Sequence, residues 1–328
     1  MKLSINGVAL GAALAAAIAT QATAADMQFK VKPPPEEPFF LVNVNSLGYS
    51  YQFTATNPGA GYTPKNVVTF AHFDAWKYGT NLFVIDWLKA TSHTTPSNPC
   101  PINQPFGGPQ DPNACAPYTE IYGLIRNTFG WKEIFGIPFG PILTNISFAT
   151  GFDGNTDNTF LGSAKRSMQA GLQFSFALPY KGSLNIAGLA YKEWQHDGFT
   201  AFANGGNPSG DVNFKTTWAM EASYSMPLGF LPEWLPVTFK GLVVVHGPKG
   251  VGEPPATNLL PRVTEYLTQE FLSLDVGKMA TGKAGIVDVF VGYRWWKNKF
   301  GLDPNFLGAF VPTYTLESTW IAGSTWQF

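Results

Sequence analysis

The stretch Tyr314–Phe328 reads YTLESTWIAGSTWQF. Taken alternately, Tyr314, Leu316, Trp320, Ala322, Trp326 and Phe328 share one face of an extended strand, interrupted by Ser318 and Ser324. Thr315, Glu317, Thr319, Thr325 and Gln327 share the other, with Ile321 and Gly323 among them. A strand with an aromatic-rich face on one side and hydroxyls and a carboxylate on the other separates lipid from water. Its aromatics sit near the two ends, where a bilayer interface holds them.

The sequence closes on Phe328. A terminal aromatic on an amphipathic strand resembles the signal by which bacterial outer-membrane barrels are recognised, which implies the barrel-assembly machinery as a partner. The other end agrees. Lys2, the apolar run Gly7–Ala19 and Ala22-Thr23-Ala24 have the form of a secretory signal peptide over residues 1–24. The run is too short and too rich in alanine for a membrane helix. Residues 25–38 include KVKPPPEEP, a proline-stiffened lead expected in the periplasm. Residues 39–328 are then expected to form one outer-membrane β-barrel domain.

Composition supports an all-β transmembrane antiparallel barrel. Aromatic residues make up 15% of the chain and charged residues only 13%. A soluble domain carries about 25% charged residues, whereas a wall facing lipid needs few charges and many girdle aromatics. The 34 glycines and 26 prolines suit a fold with many turns. Removing Lys2 from 21 basic residues leaves 20 against 22 acidic, a mature net charge of −2. That balance points to no nucleic-acid partner. Cys100 and Cys115 flank a Pro/Asn/Gly-rich insert, and in an exported chain they are expected to form a disulfide clamping a long loop. The alternative, a metal site, would have only His93 nearby in sequence.

About twelve strand-like runs follow: 39–56, 66–76, 80–90, 117–130, 143–152, 164–178, 183–195, 213–226, 236–246, 262–276, 284–297 and 314–328. An even number puts both termini on one side, expected to be periplasmic. Connections alternate long and short accordingly, although the 131–142 link is long for a periplasmic turn and predicts a short irregular piece. In 165–178, Met168, Ala170, Leu172, Phe174 and Phe176 oppose Lys165, Ser167, Gln169, Gln173 and Ser175. In 214–226 the lipid face is read as Phe214, Trp218, Met220, Ala222, Tyr224 and Met226. In 286–297, Val287, Val289, Val291, Tyr293 and Trp295 oppose Asp288, Phe290, Arg294 and Trp296. The first run changes phase near Ser46, which predicts a β-bulge or an inward piece. Glu270 falls among Leu272, Leu274 and Val276, and periodicity does not account for it.

The second and third runs form a hairpin around Gly79, VVTFAHFDAWKYGTNLFVIDW over residues 67–87. Phe83, Ile85 and Trp87 are read as lipid-facing, and His72, Asp74 and Asp86 as lumen-facing. A carboxylate in mid-bilayer costs about 2–3.5 kcal/mol, which sets that choice. The hairpin resembles the signature hairpin of the Tsx/OmpK family of nucleoside-specific channel-forming outer-membrane proteins. There a His precedes a Trp-Lys-Tyr-Gly turn, followed by Asn, aromatics and Val-Asp. His72, Trp76, Lys77, Tyr78, Gly79, Asn81, Phe83 and Asp86 fit, while Ala71 and Thr80 stand where the family is usually acidic. The resemblance implies a twelve-stranded monomeric barrel with a narrow channel for nucleosides.

A nucleoside offers a ring to stack on and hydroxyls to bond. The stacking candidates are Phe70, Trp76, Tyr122, Tyr191, Phe290 and Trp296. The polar candidates are His72, Asp74, Asp86, Glu120, Arg126, Glu193, Lys215, Glu221, Asp288, Arg294 and Glu317. Small barrels also fill their interiors with structural side chains, so each residue has that plainer reading too. With both signs in the lumen, a simple anion- or cation-selective pore is not indicated.

The leading expectation is a passive outer-membrane channel for small solutes, nucleosides foremost, that is not an enzyme. The alternatives are a lipase-like barrel enzyme and a non-conducting surface receptor or adhesin. None of His72, His93, His196 and His246 sits in the His-x-Ser-Asn setting of outer-membrane phospholipases. No phosphate loop, CxxC pair or HExxH motif is present, so no cofactor is implied. Lipid and lipopolysaccharide would surround the wall as solvent.

Overall fold

The computed structural model describes residues 38–58, 61–91, 119–157, 164–196, 211–250, 262–305 and 314–328. The expected signal peptide, the expected proline-rich lead up to residue 37 and the Cys100–Cys115 pair lie outside the described residues. Twelve long strands make one antiparallel sheet. They are β1 (Phe40–Gln52), β2 (Lys65–Trp76), β3 (Gly79–Ala90), β4 (Thr119–Gly130), β5 (Leu143–Asp157) and β6 (Ala164–Leu178), then β7 (Gly182–His196), β8 (Thr217–Pro227), β9 (Val237–His246), β10 (Glu265–Asp275), β11 (Val287–Lys297) and β12 (Glu317–Gln327). Each strand pairs with the next, and β12 pairs back onto β1, with Tyr49 opposite Ser324. The sheet is a closed barrel. Closure pairs the wall's backbone groups and leaves no sheet edge along it, as a strand needs in lipid. The three-residue strand Asp211–Asn213 extends the ladder beside the end of β7.

All twelve expected runs are strands, because alternating polarity only suits a sheet with two different faces. The largest change is β5, which runs to Asp157 rather than residue 152. One rim of the barrel carries tight turns. These include the two residues between β2 and β3 and two short helices, α1 (Trp131–Phe135) and α2 (Val276–Thr281). Helix α1 is the irregular piece expected in the 131–142 link. It stops at Gly136, whose φ of 66° lies in the left-handed region glycine reaches without strain. The longer connections lie at the opposite rim.

Directly opposed residues of an antiparallel ladder share a face, so the register assigns every side chain to wall or lumen. The outer face is apolar and rich in aromatics: Trp87, Phe148, Phe152, Trp218, Trp320 and Trp326 are all exposed. The inner face carries the charges. Tyr191 is buried there, and Glu317 and Thr319 lie on the inner side of β12, as the reading of Tyr314–Phe328 expected.

The register corrects the hairpin. Asp86 lies opposite Thr69, and Phe83 opposite His72. Asp86 therefore faces the lumen together with Thr69, Ala71 and Phe73. Phe70, His72, Asp74 and Trp76 face outward with Phe83 and Ile85, not into the lumen. Asp74 tolerates the wall because its carboxylate is satisfied there. Asn81 Nδ2 donates to Oδ1 at 2.8 Å, and His72 Nε2 lies 3.3 Å from Oδ2. His72 Nδ1 in turn lies 2.9 Å from Asn45 Oδ1. The cost assumed for a carboxylate in mid-bilayer does not apply to a paired one, two residues from the strand end.

The phase change near Ser46 has the same origin. β1 runs unbroken past Ser46, and its register shift falls between Phe40 and Val42. What inverts is the polarity. Near the tight-turn rim of β1–β4, Asn43, Asn45, His72, Asp74, Asn81 and Asn127 face outward. Val42, Val44, Phe73, Leu82, Val84 and Leu124 face inward.

Glu270 also faces outward, opposite Gly241 and Tyr293. Its carboxylate lies over Gly241: a Cβ at that position would meet Glu270 Oε2 at 2.2 Å and Tyr224 Oη at 2.7 Å. The glycine opens a notch in the wall that lets the carboxylate lie against the sheet beside a phenol. Phe214, expected on the lipid face, precedes β8 and is fully buried, with Lys249 Nζ and the Arg262 guanidinium each 4.9 Å from its ring. Lys215 is exposed outside the strand.

Candidate functional site

Arg126 occupies the middle of the lumen. From β4 it reaches Glu221 on β8, past β5, β6 and β7. Nε donates to Oε2 at 2.9 Å and Nη2 to Oε1 at 2.7 Å. The same guanidinium bonds Asp153 on neighbouring β5, Nη1 to Oδ1 at 2.8 Å and Nη2 to Oδ2 at 3.3 Å. Arg126 is thus held by two carboxylates, a geometry its planar fork of donors fits. Gly151, opposite Arg126, makes the space. A Cβ there would fall 2.9 Å from Arg126 Cδ and Nη1. Tyr122 donates to Asp153 Oδ1 at 3.2 Å, Ser167 to Oδ2 at 3.1 Å, and Gln169 Nε2 to Glu221 Oε1 at 2.7 Å. The layer is a connected polar network that spans the interior from one wall to another.

Two further clusters lie toward the long-connection rim. In one, Lys299 from the short helix Lys299–Gly301 donates to Glu317 Oε2 at 2.8 Å and to the Thr56 carbonyl at 2.6 Å. Arg294 Nε is 3.2 Å from Glu317 Oε1 and Lys65 Nζ is 3.4 Å from Glu120 Oε2. Asp86 accepts from Thr69 Oγ1 at 2.5 Å. The Trp296 ring lies under Arg294 and Lys299, 4.8 and 4.4 Å from their charges. Lys299 stands outside the strands. Burial pushes its ammonium down to about 8, while the neighbouring Glu317 carboxylate pulls the other way.

In the other cluster, Glu193 accepts from Lys249 Nζ and from the Tyr191 hydroxyl, each at 2.5 Å. The His246 ring stacks on Tyr191 at 4.2 Å, and its Nδ1 lies 3.3 Å from Glu265 Oε2. Trp296 Nε1 donates to Glu265 Oε1 at 2.7 Å, which joins the two clusters. Toward the tight-turn rim, Lys240 Nζ lies 3.6 Å from Asp288 Oδ2, and Phe271 and Phe290 meet edge to face at 5.2 Å.

Of the seventeen candidates for solute contact, the lumen therefore holds Asp86, Glu120, Tyr122, Arg126, Tyr191, Glu193, Glu221, Asp288, Phe290, Arg294, Trp296 and Glu317, and Lys215 lies outside the strands. Phe70, His72, Asp74 and Trp76 are on the wall. Asp153, Gln169, His246, Lys249 and Lys299 belong to the lumen networks and were not singled out. The inward parity of 165–178 signals Gln169, but Lys249 and Lys299 lie in connections, where parity says nothing. No group of His, Cys, Asp and Glu among the described residues is placed to hold a metal ion.

No protein-family model and no curated relative matches the chain. Among solved structures it is similar to a bacterial polysaccharide outer-membrane secretin, at 10% identity over 88% of this chain and 98% of that one, with a TM-score of 0.35. It is also similar to the outer-membrane protein OpdK from Pseudomonas aeruginosa, at 9% identity over 87% of this chain and 98% of that one, TM-score 0.25. OprD from Pseudomonas aeruginosa matches at 10% identity over 87% of this chain and 94% of that one, TM-score 0.24. Likenesses this distant carry no functional argument. The compartment follows from the faces of the sheet. A closed antiparallel barrel that is apolar outside and charged inside is an integral outer-membrane protein.

Proposed function

We propose that the barrel is a passive channel for small solutes, with nucleosides the preferred class, and that its tight-turn rim and both termini face the periplasm. The observation that carries this reading is the lumen itself, a continuous lining of paired charges with aromatic rings among them. Paired charges of both signs let a polar solute exchange water for protein hydrogen bonds without favouring either ion sign. The nucleoside preference is supported by the hairpin's resemblance to nucleoside channels and by Tyr122, Phe290 and Trp296 beside carboxylates. From that hairpin Asp86 and Thr69 contribute to the lumen, whereas His72 and Asp74 contribute to the wall. The Arg126–Glu221 bridge crosses the path, and a solute passes when the guanidinium swings aside.

A lipid-acting enzyme would need a serine beside an outer-wall histidine. The residues opposed to His72 are Asn45 and Phe83. The test is ionic conductance of the purified protein in planar bilayers, with adenosine, thymidine, free bases and sugars added in turn. Saturable block by nucleosides and not by sugars is expected. Current that nucleosides leave untouched would remove the nucleoside preference, and a protein that conducts nothing would remove the channel.

A further inference from the structure

We propose that Arg166 and Lys192, on the outer wall of β6 and β7, seat a phosphate of lipopolysaccharide, so that the barrel binds this lipid at a defined place instead of meeting it only as solvent. The site rests on the orientation proposed above, with the long connections outside, and not on conduction.

The outer wall carries few charges, and their sign depends on height. Among the described side chains of the twelve strands, the charged outward positions toward the long-connection rim are Lys89, Arg166, Lys192 and Lys297. All four are basic. The outward carboxylates, Asp74 and Glu270, lie near the tight turns and at mid-wall. Cations gathered at one level of a membrane wall complement an anionic layer in one leaflet.

Two of the four stand together on β6 and β7. Arg166 lies opposite Trp194 and Lys192 opposite Met168, so the cations are diagonal neighbours on one face. Such neighbours are about 7–8 Å apart, within reach of one phosphate for side chains this long. The short strand Asp211–Asn213 continues the ladder beside Trp194. An open cleft of about 400 Å³ lies there, lined by Arg166, Trp194, Val212 and Asn213. Asn213 Oδ1 accepts from Lys192 Nζ at 2.6 Å, and the Phe214 carbonyl accepts a second proton. An ammonium has three protons, and the third remains for an anion at the edge of the cleft. The Trp194 ring, 5.4 Å from Nζ, helps hold the ammonium in place. Arg166 is exposed and brings a guanidinium, whose fork of donors matches phosphate oxygens.

The wall beneath is apolar. Met168 faces Phe152 across the ladder in the row next to Arg166, and Trp218 lies one row further, all three exposed. Phosphate above and hydrocarbon below is the plan of an acylated, phosphorylated lipid, not of free phosphate. Its level places it in the outer leaflet.

The experiment is calorimetric titration of the detergent-solubilised full-length protein with bis-phosphorylated lipid A. Dephosphorylated lipid A, phosphatidylglycerol and inorganic phosphate are run beside it. Lipid A should bind saturably and the other three far more weakly. Arg166→Gln and Lys192→Gln should each weaken lipid A about tenfold, the worth of one charge-assisted hydrogen bond. Arg166→Lys should recover part of the loss, and Lys297→Gln on β11 should leave binding unchanged. A heat-dependent shift in gel mobility checks that each variant is folded, and the exposed Arg166 alone suffices for the test. The site is overturned if any of the three comparison probes binds as tightly as lipid A, or if folded Arg166→Gln binds as the wild type does. An epitope inserted after Asp303 tests the orientation separately. Antibody that reaches it only in permeabilised cells would remove the outer-leaflet ligand, even with binding in detergent intact. A surface-exposed epitope with no selectivity for phosphorylated lipid A removes the site and keeps the orientation.

Discussion

The guanidinium of Arg126 on β4 lies 2.7 Å from the carboxylate of Glu221 on β8, although three strands separate the two in the sheet. A side-chain bridge between non-adjacent strands narrows the lumen and braces it at the same point. Arg126→Met should raise single-channel conductance at least twofold. It should also cost on the order of 3 kcal/mol of stability, because Asp153 and Glu221 lose their shared partner. Conductance traces and a urea unfolding midpoint measure the two effects. A variant that loses stability with unchanged conductance would show that the bridge braces without gating.

Gly151→Ala addresses the same bridge from the opposite residue. The added methyl meets the Arg126 side chain at 2.9 Å, so the guanidinium must shift or the strands must part. A loss of about 1–3 kcal/mol is expected, as for overpacking elsewhere. Pairing the change with Arg126→Met should recover much of it, a coupling that a double-mutant cycle reads directly.

Wall and lumen carboxylates should separate cleanly. Asp86→Asn should shift the reversal potential under a salt gradient toward anions, because it removes a negative charge beside the permeation path. Asp74→Asn should leave the reversal potential alone while lowering stability by about 1 kcal/mol, through its bonds to Asn81 and His72.

Lys299 should make the mouth sensitive to pH. Its buried ammonium titrates near 8, whereas the unfolded lysine holds its proton to about 10.5. Between those values the unfolded chain binds more protons than the folded one, so stability rises with pH across that window. Around pH 8 the folded mouth loses a positive charge beside Glu317, and cation preference should grow between pH ~7 and ~9.5. Reversal potentials at the two pH values measure this, and Lys299→Arg should abolish the change.

Glu270→Gln removes the charge from the lipid wall and keeps the side chain's shape in the Gly241 notch. It should stabilise the barrel by about 1–2 kcal/mol in vesicles, as the removal of a membrane-exposed charge does. Unfolding in detergent, where water reaches the wall, should show a smaller gain.

The strands were legible where polarity alternates, as in 165–178 and 286–297, and Tyr314–Phe328 shows its two faces without help from the rest of the chain. The β2 side of the hairpin misled for a physical reason. Parity there was chosen by sending Asp74 away from lipid, but Asn81, His72 and Asn45, drawn from three strands, make the wall tolerable for it. Those partners meet only through register, which one sequence does not reveal. Arg126 and Glu221 were each legible as inward-facing, and their meeting was not, because it depends on how near two distant strands come. Lys249 and Lys299 sit in connections whose path no period encodes.

The reversed polarity of β1–β4 reaches beyond the hairpin. On that flank a polar row, Asn43, Asp74, Asn81 and Asn127, interrupts the apolar belt just above Trp76 and Phe129, while β6–β9 keep theirs unbroken. A belt broken on one flank cannot meet a bilayer of uniform thickness alike on every side. The membrane must pinch beside β2 or the barrel must lean toward it, and either response gives a cylinder that looks symmetrical in its strand count a preferred side for its neighbours.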